Sequence, residues 1–274
     1  MALRSEVFHN CRIKSYPDGL RQILVAQRDI FCESGWEARD EKRAVRASKR
    51  REESSDDSSA RAKRRARSAV YDLAMSNPFR FFVTLTLDRR NVDRYDVNEV
   101  TRKLNSWLDN RVRRNGLAYV LVAEKHKDGG IHFHGFFNDA LPVVDSGTLD
   151  TGSGKPRKPR SARERAALLA AGAHVVYNLP AWTLGFSTAI ELYGERRAAC
   201  AYVCKYISKA EEKVGGRWYY SGGALARPIV ELCDVEYEDF CDAEGGSSFV
   251  IDGLGCRCVR FDVEGGVESV ESLG

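Results

Sequence analysis

The sequence predicts an α+β domain in which one antiparallel sheet carries helices on one face, and three observations lead there. Residues 79–87 form a run of aromatic and β-branched side chains. An amphipathic helical period follows it. Beyond that the segments continue as hairpin, strand, helix and strand. The second face of such a sheet is left free for a substrate.

Taken in order, Phe79 to Leu87 (FRFFVTLTL) follows Asn77-Pro78 and reads as a buried strand opened by a turn. Val97, Val100, Leu104, Trp107, Leu108 and Val112 recur at three- and four-residue spacings between Asp96 and Gly116, the pattern of a helix with one apolar face. Leu117 to Glu124 and Ile131 to Phe137 are strand-like runs joined by Lys127-Asp128-Gly129-Gly130, which makes a hairpin. Residues 138–172 interrupt the pattern with Gly, Ser, Pro and Lys and then a short helical run, and read as an insertion at the sheet edge facing DNA as a mobile loop. Regular structure resumes with strands at 173–177 and 185–192, a helix over 195–210 and a strand at 217–220.

Charge divides the chain differently. Residues 1–228 hold 41 Lys and Arg against 27 Asp and Glu, while residues 229–274 hold 2 against 12. A basic body with an acidic end fits a polyanion-binding protein, although charge alone does not separate DNA from RNA or anionic lipid. The expected domains are a basic, partly flexible N-terminal region at 1–70, a catalytic domain at 71–228 with the insertion at 138–172, and an acidic C-terminal tail at 229–274. Within the first, residues 39–67 carry 12 basic and 6 acidic residues and almost no large apolar one, as a charged helix or a flexible arm. Arg61, Lys63, Arg64, Arg65 and Arg67 are its candidate phosphate contacts.

No apolar run approaches the roughly 18 residues of a membrane helix, and the N-terminus lacks the order of a signal peptide, so the expected place of work is the cytoplasm, with no membrane partner. Eight scattered cysteines are then expected as free thiols. Cys233, Cys241, Cys256 and Cys258 are zinc donors in kind, but the paired C-x₂-C knuckles of a structural zinc site are missing.

Two constellations carry chemistry. In a strand, residues two apart point to the same side, so His132 and His134 face one way while Phe133 enters the apolar layer. Glu124, eight residues earlier in the preceding strand, folds back beside His132 on that face. Two imidazoles and a carboxylate with vacant positions suit Mg²⁺ or Mn²⁺, and suit Zn²⁺ less well. His126, at the turn, is expected in solvent; His9 and His174 show no partner signal.

The second constellation is Tyr202, Lys205, Tyr206 and Lys209. On a helix the two tyrosines share a face and the two lysines run alongside at the same interval. Tyrosines at helical spacing are ordinary core residues, but a core face excludes the lysines. A phenol with pKa near 10 is a poor nucleophile at neutral pH and needs a cation or a base. A divalent ion on a phosphate oxygen supplies that activation, and attack by tyrosine leaves a 5′-phosphotyrosine and a free 3′-hydroxyl. The bond energy is kept in the new ester, so the same site can rejoin ends later.

With these motifs in place the chain resembles the HUH superfamily of replication initiators, in particular the replication-associated proteins of single-stranded DNA phages and rolling-circle plasmids. The resemblance covers residues 79–220. Phe82-Val83-Thr84-Leu85-Thr86-Leu87-Asp88 is similar to the family's first motif, His132-Phe133-His134 to its metal motif with Glu124 where the third ligand commonly stands, and Tyr202-Val203-Cys204-Lys205-Tyr206 to its two-tyrosine motif. The resemblance implies a ferredoxin-like or RRM-like sheet, Mg²⁺ or Mn²⁺, and a single-stranded or hairpin DNA origin in a bacterial host. No G-x-x-x-x-G-K-[ST] appears, so unwinding and synthesis are expected from a host helicase and polymerase. A related transposase or relaxase, or a non-catalytic RRM-like nucleic-acid binder, are the alternatives. The binder requires aromatic side chains on the open sheet face.

Overall fold

A computed structural model describes residues 7–32, 55–126, 128–153, 155–192, 196–241, 245–251 and 255–264. In chain order these form β1 (Phe8–His9), β2 (Cys11–Ser15), β3 (Leu20–Ala26), β4 (Phe31–Cys32), α1 (Ser55–Ser76), β5 (Phe81–Leu87), α2 (Val97–Asn115), β6 (Tyr119–Lys125) and β7 (Ile131–Phe137). Then come β8 (Val144–Asp150), α3 (Ala162–Ala170), β9 (His174–Asn178), β10 (Gly185–Glu191), α4 (Arg196–Lys209), β11 (Tyr220–Gly222), β12 (Ile229–Cys233), β13 (Ser247–Ile251) and β14 (Cys256–Glu264). The chain divides into two compact units, Ala60–Arg227 and a smaller one drawn from Met1–Ser59 and Pro228–Gly274.

The larger unit is built on a seven-stranded antiparallel sheet in the order β11-β6-β7-β5-β10-β9-β8. Strict alternation in β5 sorts its faces: Phe81, Val83, Leu85 and Leu87 enter the main core, while Phe82, Thr84 and Thr86 point the other way. The helical period seen in the sequence becomes α2. Asp96 caps its first turn by accepting from the Asn98 and Glu99 amides, and Gly116 ends it in the left-handed conformation. Its buried stripe of Val100, Leu104, Trp107 and Leu108 lies on the β5 core face, and Trp107 packs between Phe137 and Trp182. Each such buried side chain contributes about 1.5–3 kcal/mol relative to exposure.

The expectation of helices on one face is corrected. The α4 helix packs on β6, and Tyr206 of α4 stacks on His134 of the sheet face opposite α2. The α1 helix backs α4: Cys200 Sγ lies 3.7 Å from Met75 Sδ, and the Cys204 thiol meets the Arg67 carbonyl at 3.6 Å. The buried stripe of α1, Ala66, Val70, Leu73, Ala74 and Met75, explains why a helix this basic is held against the protein. The insertion is corrected as well. Its first part is β8, which pairs with β9 and extends the sheet, with a bulge between Asp145 and Thr148 where Gly147 takes positive φ. At the other edge, Val214 and Arg217 close a turn, so the last strand begins at Tyr220 rather than Arg217.

The smaller unit contains a five-stranded sheet in the order β12-β2-β3-β14-β13. Residues 229–264, expected as part of an acidic tail, thus supply three of its strands, because their apolar residues alternate with the charged ones: Cys256, Cys258, Val259 and Phe261 are buried while Arg257, Arg260 and Asp262 are exposed. Cys11, Ile13, Ile23, Val25, Phe240, Val259 and Phe261 make its core. Residues 1–6, 33–54 and 265–274, part of the expected flexible arm and tail, lie outside the described residues. All eight cysteines are free thiols. No helix among the described residues is long and apolar enough to cross a membrane.

One glycine fixes the register of the hairpin. A Cβ on Gly135 would stand 1.9 Å from the Val120 carbonyl oxygen and 2.9 Å from Leu121 Cα, so β6 and β7 approach closely only because this residue has no side chain. Gly135→Ala is expected to destabilise the larger unit by about 3 kcal/mol, read as a shift in the urea midpoint at unchanged slope.

Candidate active site

Hairpin pairing places Glu124 directly opposite His132 and Val122 opposite His134. On the other side of β7, Thr86 pairs with His132 and Thr84 with His134. Paired residues in an antiparallel sheet project to the same face, so these rungs carry Glu124, both histidines and both threonines together on the side away from the main core.

The side chains contact one another. His134 Nε2 lies 2.8 Å from Glu124 Oε2, and Thr84 Oγ1 lies 3.1 Å from His134 Nδ1. Thr86 Oγ1 stands in the same relation to His132 Nδ1 at 3.2 Å. With a carboxylate on its Nε2, the His134 ring donates there and accepts the Thr84 hydroxyl proton at Nδ1. The hydroxyl also serves the other tautomer, accepting from Nδ1–H when the Nε2 lone pair is needed for a metal. Burial, above all, holds both imidazoles below the usual histidine range, and for His132 the neighbouring His126 and His134 add to it, down to about 4. Both rings are therefore neutral near pH 7, the form that ligates.

His126, expected in solvent, is exposed yet joins the cluster. Its ring centroid lies 3.9 Å from that of His132 and its Nε2 lies 3.7 Å from Glu124 Oε2. Its position two residues beyond Glu124 puts it on the same side of the strand, a signal the sequence does contain. Among the described residues no group of three or more His, Cys, Asp or Glu is gathered into a metal cage, and this holds for the four cysteines Cys233, Cys241, Cys256 and Cys258 as well. In the histidine cluster the polar atoms satisfy one another instead: Nε2 of His134 is occupied by Glu124, and His132 is packed on His126. The donor set, two neutral imidazoles and a carboxylate with their outer nitrogens held by hydroxyls, fits an open divalent site in kind.

The tyrosine helix lies over this cluster. The Tyr206 ring is parallel to that of His134, with centroids 4.2 Å apart and 2° between planes. Its hydroxyl donates to the Tyr202 hydroxyl at 2.7 Å, and Tyr202 packs edge-on to Phe82. Burial and the Tyr202 hydrogen bond raise the Tyr206 phenol above its usual pKa, so it keeps its proton until a base or cation intervenes. Lys205 and Lys209 are exposed on α4, and among the described residues neither has a hydrogen bond or ion pair with the tyrosines or histidines.

The five candidate phosphate contacts are all on α1. Lys63 stands over the Trp218 ring at 5.1 Å; Arg64, Arg65 and Arg67 are exposed and Arg61 is half-buried. The histidine and tyrosine motifs are thus brought together, whereas the basic residues are distributed around a helix whose other side is buried.

Residues 80–211, a little under half of the chain, match the family model of the replication-associated protein ORF2. The matched stretch contains Glu124, His132, His134, Tyr202 and Tyr206, and the match supports a replication initiator. No curated protein and no solved structure was found to match.

Proposed function

We propose that the chain is a rolling-circle replication initiator of the HUH type, nicking one strand of single-stranded or hairpin origin DNA by tyrosine attack. The carrying observation is the Tyr206 ring stacked on His134, which puts the only phenol pair of α4 against the one face where two imidazoles and a carboxylate converge. The family match over the same residues agrees with that reading.

Glu124, His132 and His134 would hold Mg²⁺ or Mn²⁺, which draws charge from a bound phosphate and so favours attack at phosphorus. The tyrosine Oη bonds to phosphorus while the bond from phosphorus to the 3′ oxygen breaks. The phenol gives up its proton, and the departing 3′ oxygen takes one from solvent to end as a hydroxyl. The 5′ side stays on the protein. Attack by a 3′-hydroxyl on that ester reverses the step, which makes the protein a strand transferase as well as an endonuclease. Lys205, Lys209 and the basic side chains of α1 draw the DNA backbone to this side by charge. Duplex opening and synthesis fall to a helicase and polymerase of the host.

The test is selection from a randomised pool of hairpin oligonucleotides. Full-length protein with Mn²⁺ or Mg²⁺ is expected to yield an SDS-stable adduct whose mass equals protein plus the 5′-phosphorylated downstream fragment, and to yield none in EDTA. Absence of any adduct with either ion overturns the reading.

Thr84 and Thr86 then act as positioning residues. Thr84→Val or Thr86→Val removes the group that fixes Nδ1, and Mn²⁺ affinity measured by calorimetry is expected to fall about 10-fold for each. Serine, which keeps the hydroxyl, should restore most of it.

A further inference from the structure

The rung that holds the first histidine continues outward. Glu124 pairs with His132, His132 with Thr86, and Thr86 with Phe186 of β10, so all four project to the same face of the sheet. The next rung reads Val122, His134, Thr84 and Thr188, and the third Val120, Phe136, Phe82 and Ile190. The cover is uneven: Tyr206 lies on His134 and Tyr202 on Phe82, in the second and third rungs, while at the far end of the first rung Phe186 is 64% exposed.

An exposed phenylalanine here is not explained by packing. Among the described residues Phe186 has no aromatic partner, and its neighbours on this face, Thr86 and Thr188, are hydroxyl-bearing. A single ring framed by hydroxyls is too small for a protein-docking surface, which needs a contiguous apolar patch. It is the right size for one planar heterocycle. Its place is also firmly set, since a Cβ on Gly185 would stand 2.1 Å from the Thr86 carbonyl oxygen, and this close approach locks β10 against β5. Two strand spacings separate Phe186 from His132, about 10 Å.

We propose that Phe186 is a stacking platform for one unpaired nucleobase of the DNA strand whose phosphate lies over Glu124, His132 and His134. The inference rests on the reading of this face as a single-strand nuclease site, and it adds a subsite that takes a base rather than a phosphate. Because every base has a π-face, the platform holds the strand with little sequence preference. It orients the nucleotide beside the scissile bond, and the sequence of the origin is read elsewhere.

Fluorescence anisotropy in EDTA, which separates binding from cleavage, tests this with full-length wild type, Phe186→Ala and Phe186→Trp. The probes are a labelled oligothymidylate and an abasic oligonucleotide of the same length and charge. Stacking of one base predicts that Phe186→Ala weakens oligothymidylate binding about 5-fold or more. It also predicts no change in binding of the abasic strand, an unchanged salt slope because no charge is removed, and retention of affinity by Phe186→Trp. Equal oligothymidylate binding by wild type and Phe186→Ala overturns the platform, as does an equal loss on both strands. Adduct formation by the wild type on selected hairpins, measured in parallel with Mn²⁺, keeps the nuclease reading standing if the platform fails. A wild type that binds no single strand and forms no adduct removes both.

Discussion

Exchanging His132 and His134 together for alanine is expected to lower nicking by about 10³-fold or more while single-strand affinity stays within about 2-fold. The two effects separate because the imidazoles face the reacting phosphate and not the length of the backbone, and because neutral rings contribute little to counterion release. The change also leaves the Thr84 hydroxyl and the Glu124 carboxylate without the partner that His134 supplies, at about 1–3 kcal/mol for a buried group. Melting curves must therefore accompany the rates, and His134→Gln, which keeps a polar side chain, guards against mere unfolding. Glu124→Ala, whose carboxylate is more open to solvent than the His134 ring, should impair nicking less. Normal nicking by the folded double histidine variant with Mn²⁺ present would remove the metal assignment.

The double variant Tyr202→Phe with Tyr206→Phe is expected to form no covalent adduct at all, since phenylalanine keeps the ring contacts with His134 and Phe82 and deletes only the oxygens. The single variants should differ. Tyr206 is stacked on a candidate ligand, whereas Tyr202 is one helical turn away and reaches the cluster through the Tyr206 hydroxyl. Tyr206→Phe should therefore reduce adduct yield by about 10²-fold, the usual cost of a displaced nucleophile, and Tyr202→Phe by about 10-fold or less. Residual adduct in each single variant, mapped by tryptic mass analysis to the remaining tyrosine, is the result a two-nucleophile site requires. Full activity in one and none in the other would make the enzyme a one-tyrosine initiator.

How far these residues are legible follows from how local their determinants are. The hairpin and its two histidines are readable because period two and the short turn lie within a dozen residues, and Glu124 comes with them. The partners of the histidines are not. Thr84 and Thr86 sit in a strand separated from β7 by a helix and by β6, and nothing in their neighbourhood says that β5 will pair with β7. Phe186 is hidden for the same reason, since its place beside the cluster depends on β10 closing the other side of β5. The α1 helix reads as an arm or a solvated helix because two of the five residues it buries are alanines, set among arginines, and alanine adds little to an apolar count. Removal of residues 39–67 would thus take with it Ala66 and the Arg67 carbonyl that meets the tyrosine helix, and would test more than charge. In the C-terminal strands the net negative charge obscures an alternation that β14 displays plainly.

The order β12-β2-β3-β14-β13 interleaves strands from the two sides of the nuclease unit, so that Ala60–Arg227 is an insertion within the smaller one. A ribosome delivering this chain releases β2 and β3 first, and they wait with both outer edges unpaired until the entire insertion has emerged and β12 and β14 arrive. The larger unit can fold meanwhile from its own strands and helices, and by folding it shortens the span that the late strands must close. Completion of the small sheet is therefore a late event of synthesis, and a chain broken off before β12 carries the whole candidate nicking site but leaves β2 and β3 open to pairing with another chain.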